Sequence, residues 1–414
     1  MSEPSSLQPG PPPRRRLRSW TLAVVLSLVL VAGWATFLAV APAPEVLPPP
    51  SASVTPAPEP VTQPTNQVRL LAWRSAIDAD VLAGFATDTG LKVVVDGYDT
   101  NEQLLALAES GAIAHDVVLV SGVGLKALAD QNLLQTLPRD SLANIRNVDP
   151  ALAARTATYD AGNAHSVPVL WGTIGLGFNA AKVAERLGAD TPVDSWSVLF
   201  DPANAAKLAD CGIQVTDSPT GVFPIALSYL GLQTESVKVE DTDAATRLWE
   251  AIRPSINKFS SQDIVDNLAA GAVCLTVATS GDAYQARGKA RTAGLAHDIR
   301  YALPKEGTVV WYDMLAIPKA ATNVANAGRL IDYLLRPEVA ARMTNAKGFA
   351  NAIQGSALYV KPEIKSDAAL VPDLTKVRAI DEISPPPAAV ALRNRFWQLL
   401  NAPGTSAVPA KSAP

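Results

Sequence analysis

Three stretches of this 414-residue chain carry side chains suited to holding a cation. Trp73 stands in RLLAWRSAI, Asp282 in SGDAYQA, and Trp311 with Asp313 in PKEGTVVWYDMLAIP. Carboxylates hold ammonium groups through charge-assisted hydrogen bonds, and indole faces attract cations while covering methylene chains. Together they suit a small aliphatic amine. Trp311 and Asp313 are two apart in a strand-like run, so their side chains share a face and can meet one ligand together.

Other chemistries find little footing. There is no P-loop, GxSxG or HExxH pattern. GLGFN at 175–179 lacks the GxGxxG spacing of a dinucleotide-binding turn. His115, His165 and His297 are far apart, and with two cysteines they do not make a zinc cluster. No nucleophile–base set is visible, so the reading is a non-enzyme with no catalytic residues, cofactor or metal. A net charge of -4 and a pI near 5.5, without a basic stripe, argue against nucleic acid as a partner.

The elements that must position these residues follow an α/β pattern. VRLLAW from Val68 is an apolar strand, followed by a helical stretch through Val81 and Phe85 that ends at Gly90. LKVVVDGYD and DVVLVS read as the next strands. Strands alternating with helices imply a mainly parallel sheet. The apolar, glycine-rich VPVLWGTIGLGFN at 167–179 reads as a crossing segment, and a second α/β region follows it. The strand WYDMLAIP at 311–318 leads into a single helix, NAGRLIDYLLRPEVAARM.

The N-terminus points to a membrane. RRRLR at 14–18 precedes an uncharged apolar run from Ser19 to Ala41. Roughly 20 apolar residues cross a bilayer, and the clustered arginines hold residues 1–18 in the cytoplasm. AVA at 39–41 is followed by Pro42, a poor cleavage context. The expectation is an uncleaved signal anchor, with a cleaved signal peptide as the alternative. Residues 42–67 form a Pro-rich linker, extended and semi-stiff, and 402–414 read as a disordered tail.

Several further segments resemble one family when taken in order. They are TGLKVVVDGYDTNEQLL, HDVVLVS, NVDP, SVPVLWGTIGLGFN, SWSVLFDP, KLADCGI, IRPSINKFSSQDIVDNLAAG, SGDAYQA, PKEG and LLRPEVAA. They are similar to the periplasmic polyamine-binding proteins of bacterial ABC transporters, most of all the putrescine-binding type, from about Val68 to about Asn401. The resemblance implies an α/β, two-lobed periplasmic solute-binding protein of type II, with the ligand cleft between the lobes. Lobe one would be 68–171 with 312–358, and lobe two 172–311 with 359–401. It implies capture of a polyamine or related small amine outside the cytoplasm and delivery to an inner-membrane ABC permease, with the membrane reached through the N-terminal segment. Ligand positions carried over are Trp73, Ser75, Ser121, Asp282, Trp311, Asp313 and Phe349, with Arg74 and Thr279 as further candidates. A disulfide between Cys211 and Cys274 is also implied.

The departures from the family bear on the ligand. Ser75 stands where the putrescine-binding type has an acid, and DSPTG at 217–221 has Ser218, Thr220 and Gly221 in place of carboxylates. Thr279 replaces a pocket Trp, and Phe349 lacks the usual Tyr hydroxyl. A desolvated, unpaired ammonium is costly, so fewer acids imply a short or singly charged amine. Arg74 stands where the family has Ser or Thr; facing the cleft, it would repel an ammonium and accept a carboxylate. That leaves two alternatives open: an amino-acid-like ligand, or a membrane-anchored sensory or interaction protein with a degenerate binding domain.

Overall fold

A computed structural model describes residues 66–400 except 75, 384 and 385. The expected anchor at 19–41, the basic segment before it, the Pro-rich tract up to 65 and the tail from 401 lie outside the described residues. Among the described residues no helix is long and apolar enough to cross a membrane.

Among the described residues eleven strands form one sheet: β1 (Gln67–Trp73), β2 (Lys92–Tyr98), β3 (Val117–Ser121), β4 (Ser166–Asn179), β5 (Ile213–Val215), β6 (Lys258–Phe259), β7 (Leu275–Thr279), β8 (Ile299–Ala302), β9 (Thr308–Ala316), β10 (Ala350–Asn351) and β11 (Ala379–Asp381). The order is β2-β1-β3-β9-β4-β7-β5-β6, with β10 and β8 on β4 and β11 on β9. The expectation of a mainly parallel sheet holds only at the flanks. β1 pairs parallel with β2 and β3, and β5 with β6 and β7. At the centre β4 and β9 are antiparallel to each other, β3 is antiparallel to β9, and β7 to β4. β4 runs one way across the molecule and β9 returns, so a chain that crosses twice must be antiparallel there. β4 is buried at every one of its 14 positions, which is why it reads as an unbroken apolar run rather than an alternating one.

Helix starts follow the sequence closely. Asp78, Thr100, Ser121, Asp149, Asn179, Asp201, Ser218 and Thr279 each cap a helix with a side-chain oxygen that accepts a backbone N–H. Gly90 ends the first helix at φ 72°, a left-handed conformation that glycine adopts without strain. One expected helix is two. Val324–Leu334 and Pro337–Lys347 are separated at Arg336, whose backbone is extended (φ -73°, ψ 135°). Pro337 has no N–H to continue the first helix, and its ring disfavours a helical residue before it.

The apolar packing divides along the sheet. Around β5 and β7 a core gathers Phe200, Phe223, Trp249 and Trp397. Trp249 meets Phe200 and Trp397 edge to face, at 4.8 and 6.1 Å between ring centroids. Around β1 and β3 two further cores cover opposite faces, one with Phe85, Leu119 and Tyr333, the other with Tyr98, Val120 and Tyr312. Cys211 and Cys274 are joined by a disulfide with a Cα–Cα distance of 5.4 Å. The β5–β7 register pairs Ile213 with Leu275, which places the cysteine-bearing ends side by side.

Candidate functional site

The carboxyl ends of several strands converge on the middle of β9. β3 runs against β9 and ends with Ser121 opposite Asp313. β11 runs along β9 from the other direction and ends with Asp381 opposite Val310. β1 ends at Trp73, beside the last residues of β3. β7 ends at Thr279, opposite Ile174 on β4, and β4 sets Gly172 opposite Trp311. Ligands of open α/β sheets bind outside the carboxyl ends of strands where the order switches. Trp311 and Asp313 occupy such a point.

Asp313 is 8 % exposed. Its Oδ1 accepts a hydrogen bond from Trp73 Nε1–H at 3.1 Å. Burial pushes its carboxyl up to about 7, against the Trp73 bond, with the nearby Glu382 adding to the rise. The Trp73 ring packs on Tyr98 at 4.5 Å between centroids, and the Tyr98 hydroxyl donates to Leu119 O at 2.8 Å. Trp73 is thereby held by its ring on one side and its N–H on the other.

Trp311 and Phe349 form an aromatic wall, edge to face, with centroids 4.8 Å apart and planes at 88°. Two glycines permit it. A Cβ at Gly172 would fall 2.4 Å from Trp311 Cζ2, and one at Gly281 would fall 2.2 Å from Phe349 Cε1. Gly281 precedes Asp282, so the wall leads from Asp313 towards the second acid.

Asp282 sits in the first turn of the helix Ser280–Thr292. Its Oδ2 accepts from Thr279 N (3.0 Å) and Thr279 Oγ1 (2.7 Å), closing a capping box. The carboxyl keeps some accessible surface but is closely surrounded, and burial raises its pKa while the two Thr279 bonds oppose the rise. Oδ1 accepts no hydrogen bond among the described residues, which leaves it available to a ligand. Capping therefore occupies one oxygen only. Thr279 orients the acid and fills its own hydroxyl in doing so.

Ser121 Oγ accepts from Gly124 N (3.2 Å) and donates to Asn101 Oδ1 (2.9 Å), so its hydroxyl is largely committed to the helix cap. Arg74 turns away from an anion-binding role. Its Nε and Nη2 donate to Asp99 Oδ1 and Oδ2 at 2.8 and 3.0 Å, in a solvent-exposed pair. Ser75 lies outside the described residues. In DSPTG, Asp217 accepts from Trp397 Nε1–H and Ser218 caps the helix Pro219–Tyr229; Asp217 thus packs the C-terminal helix rather than standing as a spare carboxylate.

One acid escaped sequence reasoning. Glu382 follows β11, and its N–H donates to Val310 O at 2.9 Å. That continues the parallel register and sets Glu382 beside Trp311, on the face Trp311 shares with Asp313. Its carbonyl accepts from the Tyr159 hydroxyl. Burial alone pushes its carboxyl up to about 7. The only local signal was a Glu ahead of the breaker SPPP, which reads as linker.

The description "Bacterial extracellular solute-binding protein" belongs to the family whose profile matches residues 80–372. The chain belongs to that family. It is 37% identical over 300 residues to the putrescine-binding periplasmic protein SpuD of Pseudomonas aeruginosa, covering 72% of this chain and 82% of that protein. It is 35% identical over 301 residues to the putrescine-binding periplasmic protein PotF of Escherichia coli, covering 72% and 81%. Among solved structures, a putative spermidine/putrescine ABC transporter protein from Listeria monocytogenes superposes with a TM-score of 0.71 at 26% identity, over 81% of this chain and 99% of that one. Like its relatives, this is a solute-binding protein of α/β fold and not an enzyme.

Proposed function

We propose that this protein captures a short diamine of the putrescine kind outside the cytoplasm and delivers it to an inner-membrane ABC permease. The observation that carries this reading is the line of groups across β9. Trp73, Asp313 and Glu382 stand at one end, Asp282 at the other, and the Trp311–Phe349 wall connects them. An ammonium at each end would meet a carboxylate, and the methylenes between would lie on the rings. The expectation of a short amine is kept, and acids at both ends favour a diamine over a singly charged one. The pairing of Arg74 with Asp99 supplies no partner for a carboxylate-bearing ligand. The relatives' names agree with a putrescine-like ligand.

In this reading 68–171 with 312–358 form one lobe and 172–311 with 359–401 the other, hinged on β4 and β9. Closure of such lobes on a ligand creates the surface a permease reads. Calorimetric titration with putrescine, spermidine and butylamine tests the site. Putrescine should bind tightest, because the lost carboxylates at Ser75, Ser218, Thr220 and Gly221 leave the third ammonium of spermidine unmatched. Spermidine binding tightest of the three would overturn the assignment.

We also propose that residues 19–41 remain as an anchor in the inner membrane. Their length suits a bilayer, and Pro42 spoils the cleavage context. The Pro-rich tract would then act as a stiff tether of roughly 70 Å, at about 3.1 Å per residue. N-terminal sequencing of the exported protein should find no mature start between residues 35 and 68; a start there would show cleavage.

A further inference from the structure

We propose that Asp313 and Glu382 act as one acid pair that holds a shared proton when empty and exchanges it for the ammonium of the ligand, so that amine capture is coupled to proton release. This rests on the diamine site argued above.

The geometry comes from the two strands that meet on β9. Asp313 belongs to β9 itself, whereas Glu382 is delivered by the segment after β11, and the register sets both on one face. The segment is held firmly. Glu382 N–H bonds Val310 O, the Tyr159 hydroxyl bonds Glu382 O, and Asp381 is clamped by Arg155 (2.7 and 3.0 Å) and by the Tyr312 hydroxyl (2.7 Å). The backbone that carries Glu382 is therefore fixed beside β9, on the face that carries Asp313.

The surrounding charges leave the pair uncompensated. Arg155 is the cation on the helix Pro150–Thr156 nearest this segment, and both its bonds go to Asp381. Arg74 at the end of β1 is spent on Asp99. The phenols of Tyr98, Tyr159 and Tyr312 donate to Leu119 O, Glu382 O and Asp381, not to the pair's carboxyl oxygens. From β3, Ser121 gives its proton to Asn101. Asp282, on the helix after β7, is tied to Thr279. Among the described residues, no Lys, Arg or His pairs with either carboxyl of the pair, and Trp73 Nε1–H is the one side-chain donor that reaches it.

Two like charges brought together in a buried place cannot both ionise readily, so one proton stays. Burial raises both carboxyls to about 7, and for Asp313 the Glu382 charge adds to the rise. An incoming ammonium supplies the missing positive charge. The balance is a singly protonated pair plus R–NH3+ giving a doubly ionised pair bound to R–NH3+ and one proton released to water. Below neutral pH the proton competes with the amine; above it the pair is already ionised.

The test is calorimetry of the full-length protein with putrescine in phosphate and in Tris, whose ionisation heats differ. The expected result at pH 7 is release of a substantial fraction of one proton per ligand. Affinity should fall roughly tenfold per pH unit as pH drops below neutrality and level off above about pH 8. Glu382→Gln should lower the proton release measurably without abolishing it, because Asp313 then keeps its burial but loses the neighbouring charge. Putrescine binding with equal heats in both buffers and a flat affinity from pH 5.5 to 8 would overturn the coupling while leaving the diamine site standing. Undiminished proton release in Glu382→Gln would overturn the pair as its source. No putrescine binding at any pH would overturn both the coupling and the site beneath it.

Discussion

Asp313→Asn should weaken putrescine binding by about one to two orders of magnitude at pH 8. A charge-assisted hydrogen bond contributes about 1.5–3 kcal/mol, and 1.4 kcal/mol is a factor of ten. The substitution is nearly isosteric, and its side-chain oxygen can still accept the Trp73 N–H that Asp313 accepts at 3.1 Å. What it removes is the charge. Stability separates this loss from misfolding. Asp313 has its folded-state pKa raised to about 7, above the unfolded value near about 4. The folded protein therefore binds the proton more strongly, and the acid costs stability as pH rises from about 4 to about 7. Asn does not ionise, so at pH 8 the variant should melt no lower than wild type. A variant that binds putrescine as tightly as wild type would show that the site is misplaced.

How far the sequence could be read is clearest on β9 itself. Trp311 and Asp313 share a face in any strand, so alternation alone joined them, and the family resemblance then placed Trp73 across from them. The Trp73–Asp313 hydrogen bond spans 240 residues of sequence, a separation no local pattern can bridge. Asp282 was legible as both a pocket acid and a helix cap; the structure shows that one oxygen caps and the other is left over. Arg74 was open in the sequence between a cleft-facing cation and one paired within the chain, and the structure shows the second. Nothing local announced that Asp99, beyond the next helix and strand, would take up its charge through a two-pronged pair. Glu382 was missed for a related reason. Its place depends on a three-residue strand, Ala379–Asp381, too short to have a periodicity, whose pairing with β9 is secured by Arg155, Tyr159 and Tyr312 from distant parts of the chain. The mixed direction of the sheet was likewise invisible, because a buried strand such as β4 reads the same in either direction.

Removing the disulfide should cost stability without costing the ligand. Cys211 and Cys274 are 63 residues apart, and on the chain-entropy account closing a loop of that length contributes roughly 4 kcal/mol, often less in practice. The β5–β7 pairing already holds these ends together through Ile213↔Leu275, Gln214↔Thr276 and Val215↔Val277, so the native geometry should survive the loss of the bond. The site lies at the far end of β7, where Thr279 caps the helix that carries Asp282. That end is fixed independently by the β4 ladder, from Ile174↔Thr279 to Phe178↔Leu275. The Cys211→Ala/Cys274→Ala double variant should therefore unfold at a clearly lower denaturant concentration, while its putrescine affinity in native buffer stays within about twofold of wild type. Adding reductant should shift wild type to the same midpoint and leave the variant unmoved. An unchanged midpoint on reduction would mean that the cross-link carries no stability, and a parallel collapse of affinity would mean that it holds the site rather than the fold.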